Sequence, residues 1–273
     1  MLTEKQKEKL NELKTYIKNL DNVAIAFSGG VDSTLLLKIS VEVLGKEKVL
    51  AVTSCSETYP SEEFEDAKKL VEKIGAKHHV IYSSELDNDD FAQNDKNRCY
   101  YCKKELFSEI KEVAAEKGYD NVLDGSNYDD KINDYRPGLK AVKELDVKSP
   151  LKEAKLTKKD IRAISKKYDL STWNKPSFAC LSSRFPYGQR IEPEILEKVD
   201  EAERFLRKYN FNQLRLRHHD EETARIEVLP EDMNTLMQNK GEIIDKLKEL
   251  GYTYITMDLE GYRTGSMNEV LNL

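Results

Sequence analysis

Apolar and polar positions follow two different periods along this chain. Val23-Ala24-Ile25-Ala26-Phe27 is short and apolar throughout, the pattern of a strand buried on both faces. Lys48 to Thr53, Lys77 to Tyr82 and Asn121 to Asp124 give three further short strands. Helical spacing appears between and before them. Leu10, Leu13, Ile17 and Leu20 mark an amphipathic helix over 4–20, and Thr34 to Ile39 continues as a second helix. Pro60-Ser61 opens a helix that runs through Ile74 and ends at Gly75, and another covers 100–117 and closes at Gly118. Strands alternating with helices predict βαβ units and a parallel sheet. Ligands in such sheets gather beyond the carboxyl ends of the strands.

The pattern changes near Glu192. A helix over 192–208 precedes Gln213 to His218 and Ala224 to Val228, two runs that alternate as half-buried strands and read as a hairpin. A helix follows Pro230, then a strand over 252–257 and a polar tail. The expected architecture is therefore α/β: a parallel-sheet domain over 1–190 and a smaller α+β domain over 191–273. Two stretches stand apart. Lysines and Arg162 crowd 152–167, where a helix from Lys158 to Lys167 reads as a solvated face rather than a binding patch. Residues 169–192, with Trp173, Cys180 and Gly188, lack periodicity and suit a lid or catalytic insert.

Composition narrows the class. Of 273 residues, 39% are hydrophobic and 34% charged, a soluble globular profile. No apolar run approaches the ~18 residues that span a bilayer, and Met1 to Lys7 has no apolar signal core, so a cytoplasmic protein is expected. A net charge of −6 argues against a broad grip on nucleic acid. Four cysteines in a reducing compartment point to metal or thiol chemistry rather than structural disulfides.

Chemistry concentrates first at Ser28-Gly29-Gly30-Val31-Asp32-Ser33, a glycine turn between the first strand and a helix. Unpaired N–H groups and the positive end of the helix dipole meet there and favour phosphate. Neither the spacing nor the lysine of a kinase-type P-loop is present. The hexapeptide resembles the PP-loop of ATP pyrophosphatases, which implies ATP. Ser28, Gly29, Gly30 and Ser33 are expected on the β,γ-phosphates, Asp32 on Mg²⁺, and Thr53, Ser54 and Ser56 near adenosine. Gly125, after the fourth strand, joins the ATP set. Asp129 and Asp130 beyond it become useful beside a triphosphate only with a divalent metal between, hence a second Mg²⁺ expectation. Arg136 is a candidate catalytic cation for the phosphate or an acyl adenylate.

Cys99 and Cys102 form a Cys-x-x-Cys pair at a helix start, where the dipole, Arg98, Lys103 and Lys104 favour thiolate. Alone, the pair is open between redox, half a zinc site and cluster ligation. Cys180 offers a third sulfur, and three thiolates leave a metal centre one ligand short, as a reactive site needs. In a [4Fe–4S] cluster one iron would be left for an added sulfide. A redox pair with a separate Cys180, or unconnected thiols, are the alternatives. Cys55 reads as a small spacer. Arg215 and Arg217, two apart on a strand and so on one face, together with Arg263 form a candidate phosphate grip, against a solvated face balanced by Asp220, Glu221 and Glu222.

Taken together, Ser28–Ser33, Gly125–Gly138, Trp173–Arg184 and Arg215–Glu227 resemble the LarE family of pyridinium-3,5-biscarboxylic acid mononucleotide sulfurtransferases. The likeness covers essentially the whole chain. It implies adenylation of a pyridinium mononucleotide carboxylate by ATP·Mg²⁺ and replacement of its oxygen by sulfur, in nickel-pincer nucleotide synthesis. It also implies a C-terminal domain that binds substrate phosphate and a homo-oligomer, often a hexamer. One branch has a single cysteine at the position of Cys180, which gives up its own sulfur. The presence of Cys99 and Cys102 resembles instead the branch whose three cysteines hold a [4Fe–4S] cluster with an extra sulfide, fed by sulfide or another sulfur donor. The rivals are a tRNA thiolase, a PP-loop amide synthetase using ammonia, and a nucleotide-sensing module without catalysis.

Overall fold

A computed structural model describes residues 2–130, 137–176 and 179–271. Arg136 lies outside them. In chain order the principal elements are α1 (Glu4–Lys18), β1 (Val23–Ala26), α2 (Val31–Leu44), β2 (Val49–Cys55), α3 (Ser61–Ile74), β3 (Lys77–Tyr82), α4 (Asp89–Ala92), α5 (Arg98–Glu116), β4 (Val122–Leu123), α6 (Gly138–Glu144), α7 (Pro150–Glu153), α8 (Lys158–Lys167), α9 (Pro193–Arg207), β5 (Leu214–His218), β6 (Thr223–Val228), α10 (Met233–Gln238), α11 (Lys240–Glu249) and β7 (Tyr254–Met257). The chain divides into two compact units, residues 1–56, 61–83 and 99–178, and residues 57–60, 84–98 and 179–273.

In the first unit four parallel strands lie in the order β3-β2-β1-β4. Alternate residues of β1 and β2 feed two cores, which is why both strands read as unbroken apolar runs. Val23, Ile25, Val49 and Ala51 pack with Leu13 and Ile17 of α1, Leu36 of α2 and Ile161 and Ile164 of α8. Ala24, Leu50 and Val52 pack with Phe107 and Ile110 of α5 and Val142 of α6. The helix expected over Lys158–Lys167 has those bounds, opened by a capping box between Thr157 and Asp160. Its apolar side is buried in the core.

In the second unit β5 and β6 form the expected antiparallel hairpin, and β7 adds to β6 in parallel. Helix α9 packs on β5. All five residues of β5 are buried, so this strand is covered on both faces rather than half-exposed. Arg217 meets the buried Glu227 carboxylate instead of water, and Arg215 lies against the Tyr262 ring, as described below. The linear boundary expected after residue 190 also differs from the observed division. Residues 179–190 belong to the second unit, together with two earlier returns of the chain. Backbone N–H groups of Leu181, Gly188 and Ile191 donate to Thr58 O (2.9 Å), Asn94 O (3.0 Å) and Ala92 O (2.8 Å), and these bonds hold the returns in place. Among the described residues no helix is long and apolar enough to cross a membrane.

Candidate active site

The glycine turn sits at the carboxyl end of β1 and runs into α2, whose first turn has no side-chain cap. Its backbone is shaped by two close approaches. Gly29 has φ +63°, and a Cβ there would meet the Ala67 Cβ of α3 at 3.1 Å. Gly125 packs against the start of α2, where a Cβ would lie 3.2 Å from Ser33 N. Ser33 Oγ is 3.3 Å from Ser28 Oγ, donates to Gly30 O at 3.3 Å and accepts from Ser28 N at 3.4 Å. Ser28, Gly29, Gly30, Ser33 and Gly125 thus belong to one turn-and-helix corner.

Two lysines reach this corner. Lys158, the first residue of α8, pairs through Nζ with Asp32 Oδ2. Burial pushes the Asp32 carboxyl up, Lys158 pulls it down, and the neighbouring Asp130 charge adds to the upward push. Lys175 Nζ lies 2.6 Å from Glu63 Oε2 and donates to Gly29 O at 3.5 Å. Its backbone is fixed in turn by Arg162, which donates to Trp173 O at 3.0 Å and Lys175 O at 2.8 Å. The lysine-rich stretch is therefore not only a solvated face. Neither Lys158 nor Lys175 was legible as a site residue, because the partners of each lie about a hundred positions earlier.

The acidic loop after β4 is built as an Asx-type turn. Asn127 N donates to Asp130 Oδ2 at 2.8 Å, Asp129 N to Asn127 Oδ1 at 2.9 Å, and Lys158 N to Asp129 Oδ2 at 2.7 Å. Asp129 thereby caps the first turn of α8. Asp124 is buried and accepts from Ser126 N (3.2 Å), Ser126 Oγ (2.5 Å) and Ser149 Oγ (2.6 Å), which fixes the strand end before Gly125. Asp32, Asp129 and Asp130 do not stand as a ready-made magnesium trio. Among the described residues no three His, Cys, Asp or Glu side chains are grouped to hold a metal ion. Of the adenosine candidates, Thr53 is buried and its hydroxyl donates to Phe27 O at 2.9 Å, with His78 Nε2 also at 2.9 Å. Ser54 Oγ is 2.7 Å from Ser83 Oγ.

Cys99 and Cys102 lie in the first turn of α5, in the first unit, three apart and so on one helix face. Cys99 is exposed and Cys102 half-buried. A Cβ on Gly138 would come within 3.0 Å of Cys99 O and 2.7 Å of Lys103 Cδ, so that glycine lets α6 close onto the Cys-x-x-Cys turn.

Cys180 belongs to the second unit and stands at the head of a single irregular turn, 181–184. Buried guanidinium groups hold this turn by its carbonyls. Arg184 donates to Ala179 O (2.8 Å) and Cys180 O (3.1 Å), Arg217 to Ser183 O (3.0 Å) and Arg98 to Ser182 O (2.8 Å). Each arginine has its own acceptor behind it. Arg184 makes a two-pronged pair with Glu203, both bonds 2.8 Å, and both side chains are at most 1% exposed. Burial alone would lower Arg184, but the Glu203 carboxylate outweighs it, and Cys180 acts in the same sense. Arg217 pairs with Glu227 at 2.7 Å. Arg215 is buried against the Tyr262 ring. Burial and the adjacent Arg184 charge hold its pKa below the usual arginine range.

These arginines are not a solvated face. Arg263 differs: it is more exposed and paired with Asp258, Glu260 and Glu269, so it stays outside the buried set. Arg184, Glu203 and Glu227 were missed from sequence, although Arg184 and Glu227 fall in two of the motif blocks, and Arg98 was read only as a charge beside the Cys-x-x-Cys pair.

Comparison with known proteins gives a consistent picture. A family model described as NAD synthase matches residues 5–106. An uncharacterised protein of Synechocystis is 43% identical over 96% of this chain and 98% of its own length. An uncharacterised protein of Methanocaldococcus jannaschii is 35% identical over 93% of this chain and 95% of its own. The pyridinium-3,5-bisthiocarboxylic acid mononucleotide synthase of Lactiplantibacillus plantarum is 40% identical over 93% of this chain and 92% of its own. With that identity sustained across both units, the chain belongs to the LarE family of which this synthase is a member.

Proposed function

We propose that the protein is an ATP-dependent sulfurtransferase that converts a carboxylate of a pyridinium mononucleotide to a thiocarboxylate. The observation that supports this most is the glycine turn at the end of β1, approached by Lys158 and Lys175, in a chain of the LarE family. The N–H groups of the turn and of the start of α2 hold the β,γ-phosphates, helped by Ser28 and Ser33. Lys158 and Lys175 stabilise charge as it gathers on pyrophosphate. A magnesium ion arrives on ATP and takes most ligands from phosphate and water, so one or two carboxylates of the Asp32, Asp129 and Asp130 set suffice.

In the first step a substrate carboxylate oxygen attacks the α-phosphorus, the α–β anhydride bond breaks, and pyrophosphate leaves. In the second, sulfide attacks the acyl carbon, and the C–O bond to AMP breaks with the oxygen leaving on AMP. Arg215 and Arg217 orient the substrate phosphate, and Arg136 stays a candidate for the acyl phosphate. By the chemistry of three thiolates, Cys99, Cys102 and Cys180 would hold a [4Fe–4S] cluster, although among the described residues no three such side chains are grouped to hold a metal. When bound, the cluster supplies the sulfide.

The test is a turnover assay with the pyridinium dicarboxylate, ATP, Mg²⁺ and sulfide on anaerobically reconstituted protein. Pyrophosphate release and a substrate mass gain matching exchange of oxygen for sulfur are expected. Cys180→Ala should abolish the mass gain while keeping ATP binding. Pyrophosphate release with ammonia incorporated instead would overturn the reading.

A further inference from the structure

The cations of α8 do not share one environment. Lys159, Lys166 and Lys167 are exposed, whereas Lys158 and Arg162 are half-buried. Those two are four apart and so share a helix face. Lys158 pairs with Asp32 in the first turn of α2. Arg162 directs both terminal nitrogens at main chain: Nη1 donates to Trp173 O at 3.0 Å and Nη2 to Lys175 O at 2.8 Å.

The helix itself is a fixed mount. Ile161 and Ile164 are fully buried in the core, Lys158 N donates to Asp129 Oδ2 at 2.7 Å, and Lys9 Nζ lies 2.5 Å from Asp160 Oδ2. Lys175 follows a single irregular turn, 171–174, rather than sitting within a helix or strand. Its N–H closes that turn on Thr172 O at 3.0 Å, and Arg162 ties its carbonyl to α8. Lys166 adds to the hold, its Nζ standing 4.3 Å from the centre of the Trp173 ring. The Lys175 stem then ends between Glu63 Oε2 at 2.6 Å and Gly29 O at 3.5 Å. A lysine carries its charge on a flexible four-carbon stem, so the reach of the ammonium is set by where the backbone is held. All of these residues lie in the first unit.

We propose that Arg162 is a positioning residue for the glycine-turn corner: its fork holds the 173–175 main chain on α8 and so places the Lys175 ammonium beside the β,γ-phosphates. One helix thereby mounts both cations, Lys158 directly and Lys175 through Arg162. This rests on the ATP half of the proposed function and is independent of the sulfur half. It assigns Arg162 no contact with the nucleotide. A planar guanidinium reaches two carbonyls at once, whereas an ammonium is a point charge and holds one well.

The test is a double-variant cycle on the full chain, read by calorimetry with ATP and Mg²⁺ and, separately, with inorganic pyrophosphate. Lys175→Met should weaken both ligands about tenfold, as loss of a charge-assisted bond does. Arg162→Met, which lacks the donors, should weaken both by about threefold to tenfold through the misplaced ammonium. Arg162→Lys should recover part of that loss. In the Lys175→Met background, Arg162→Met should change affinity by no more than about twofold. A merely structural role would lower the melting temperature and leave the two losses additive.

Additive losses, or wild-type affinity in Arg162→Met or Arg162→Lys, overturn the positioning role and leave ATP binding standing. Unchanged affinity in Lys175→Met overturns it too. Binding of neither ligand by the wild-type chain defeats the proposed function and this role with it, so the two failures are distinguishable. If Arg162→Met does not fold, Arg162→Lys carries the cycle, and its loss must vanish in the Lys175→Met background.

Discussion

The glycine-turn corner and the Cys180 turn solve the same problem, fixing an irregular stretch of chain, by opposite means. At the corner the backbone itself does the holding. A six-residue stretch between a strand and a helix supplies N–H groups, and the glycines allow the close packing against Ala67 and Ser33. At the Cys180 turn the backbone has no regular partner, and arginine side chains from residues 98, 184 and 217 bond its carbonyls. The first arrangement is local in sequence, whereas the second gathers residues more than a hundred positions apart. Charge at the corner is partly open to water; charge behind the turn is almost fully buried, where an unpaired ion is far more costly.

The largest expected effect therefore lies behind the turn. Arg184→Met should destabilise the protein by about 3–5 kcal/mol, because it leaves the Glu203 carboxylate buried without its partner. Denaturant unfolding measures this. The double variant Arg184→Met with Glu203→Leu should recover part of the loss, and no recovery would mean the carbonyl bonds matter more than the ion pair.

Acid should act next, and on the same unit. His218 is 1% exposed, and burial, with the Lys198 charge adding to it, lowers its pKa from 6.5 to about 4. The unfolded chain takes up this proton near pH 6.5, while the folded chain does so only near pH 4. Stability from this group is thus complete above pH 6.5 and declines as pH falls through that window, by up to about 3 kcal/mol. Unfolding of His218→Phe should show a flatter pH profile there; an identical slope would place the acid sensitivity elsewhere.

At the corner the effects are smaller and appear in binding. Lys158→Met should weaken ATP binding by about tenfold or more, since a charge-assisted bond contributes roughly 1.5–3 kcal/mol. Calorimetry reads this directly, and unchanged affinity would remove Lys158 from the phosphate site. Gly29→Ala should cost about 1–2 kcal/mol, from φ +63° and the close Ala67 contact, with ATP affinity falling alongside melting temperature.

The contrast also explains what the sequence disclosed. Short-range signals were readable: the apolar runs of β1 and β2, the helix over Lys158–Lys167, the alternating runs that became the hairpin, and the glycine hexapeptide. Periodicity carries those signals because each depends on neighbours within a turn or a strand. Long-range pairing carries no such signal. Lys158 belonged to a charge run that reads as solvated, and only the fold turns it onto Asp32. Arg215 and Arg217 alternate as an outward face should, but both are buried, Arg217 paired with Glu227 and Arg215 against the Tyr262 ring. The returns at 57–60 and 84–98 were hidden for the same reason, being defined by bonds to residues near 181 and 190.

The two lysines at the corner carry one more implication. Each already stands against a carboxylate, Asp32 or Glu63, at the place where phosphate would sit. A triphosphate entering there swaps anions around fixed cations instead of recruiting two freely rotating side chains. The rotamer entropy of each long stem, about 1.5–2 kcal/mol, is then lost during folding rather than on association. On the proposed function, capture of the nucleotide becomes an ion exchange, with the displaced carboxylates available to the metal that the nucleotide would bring.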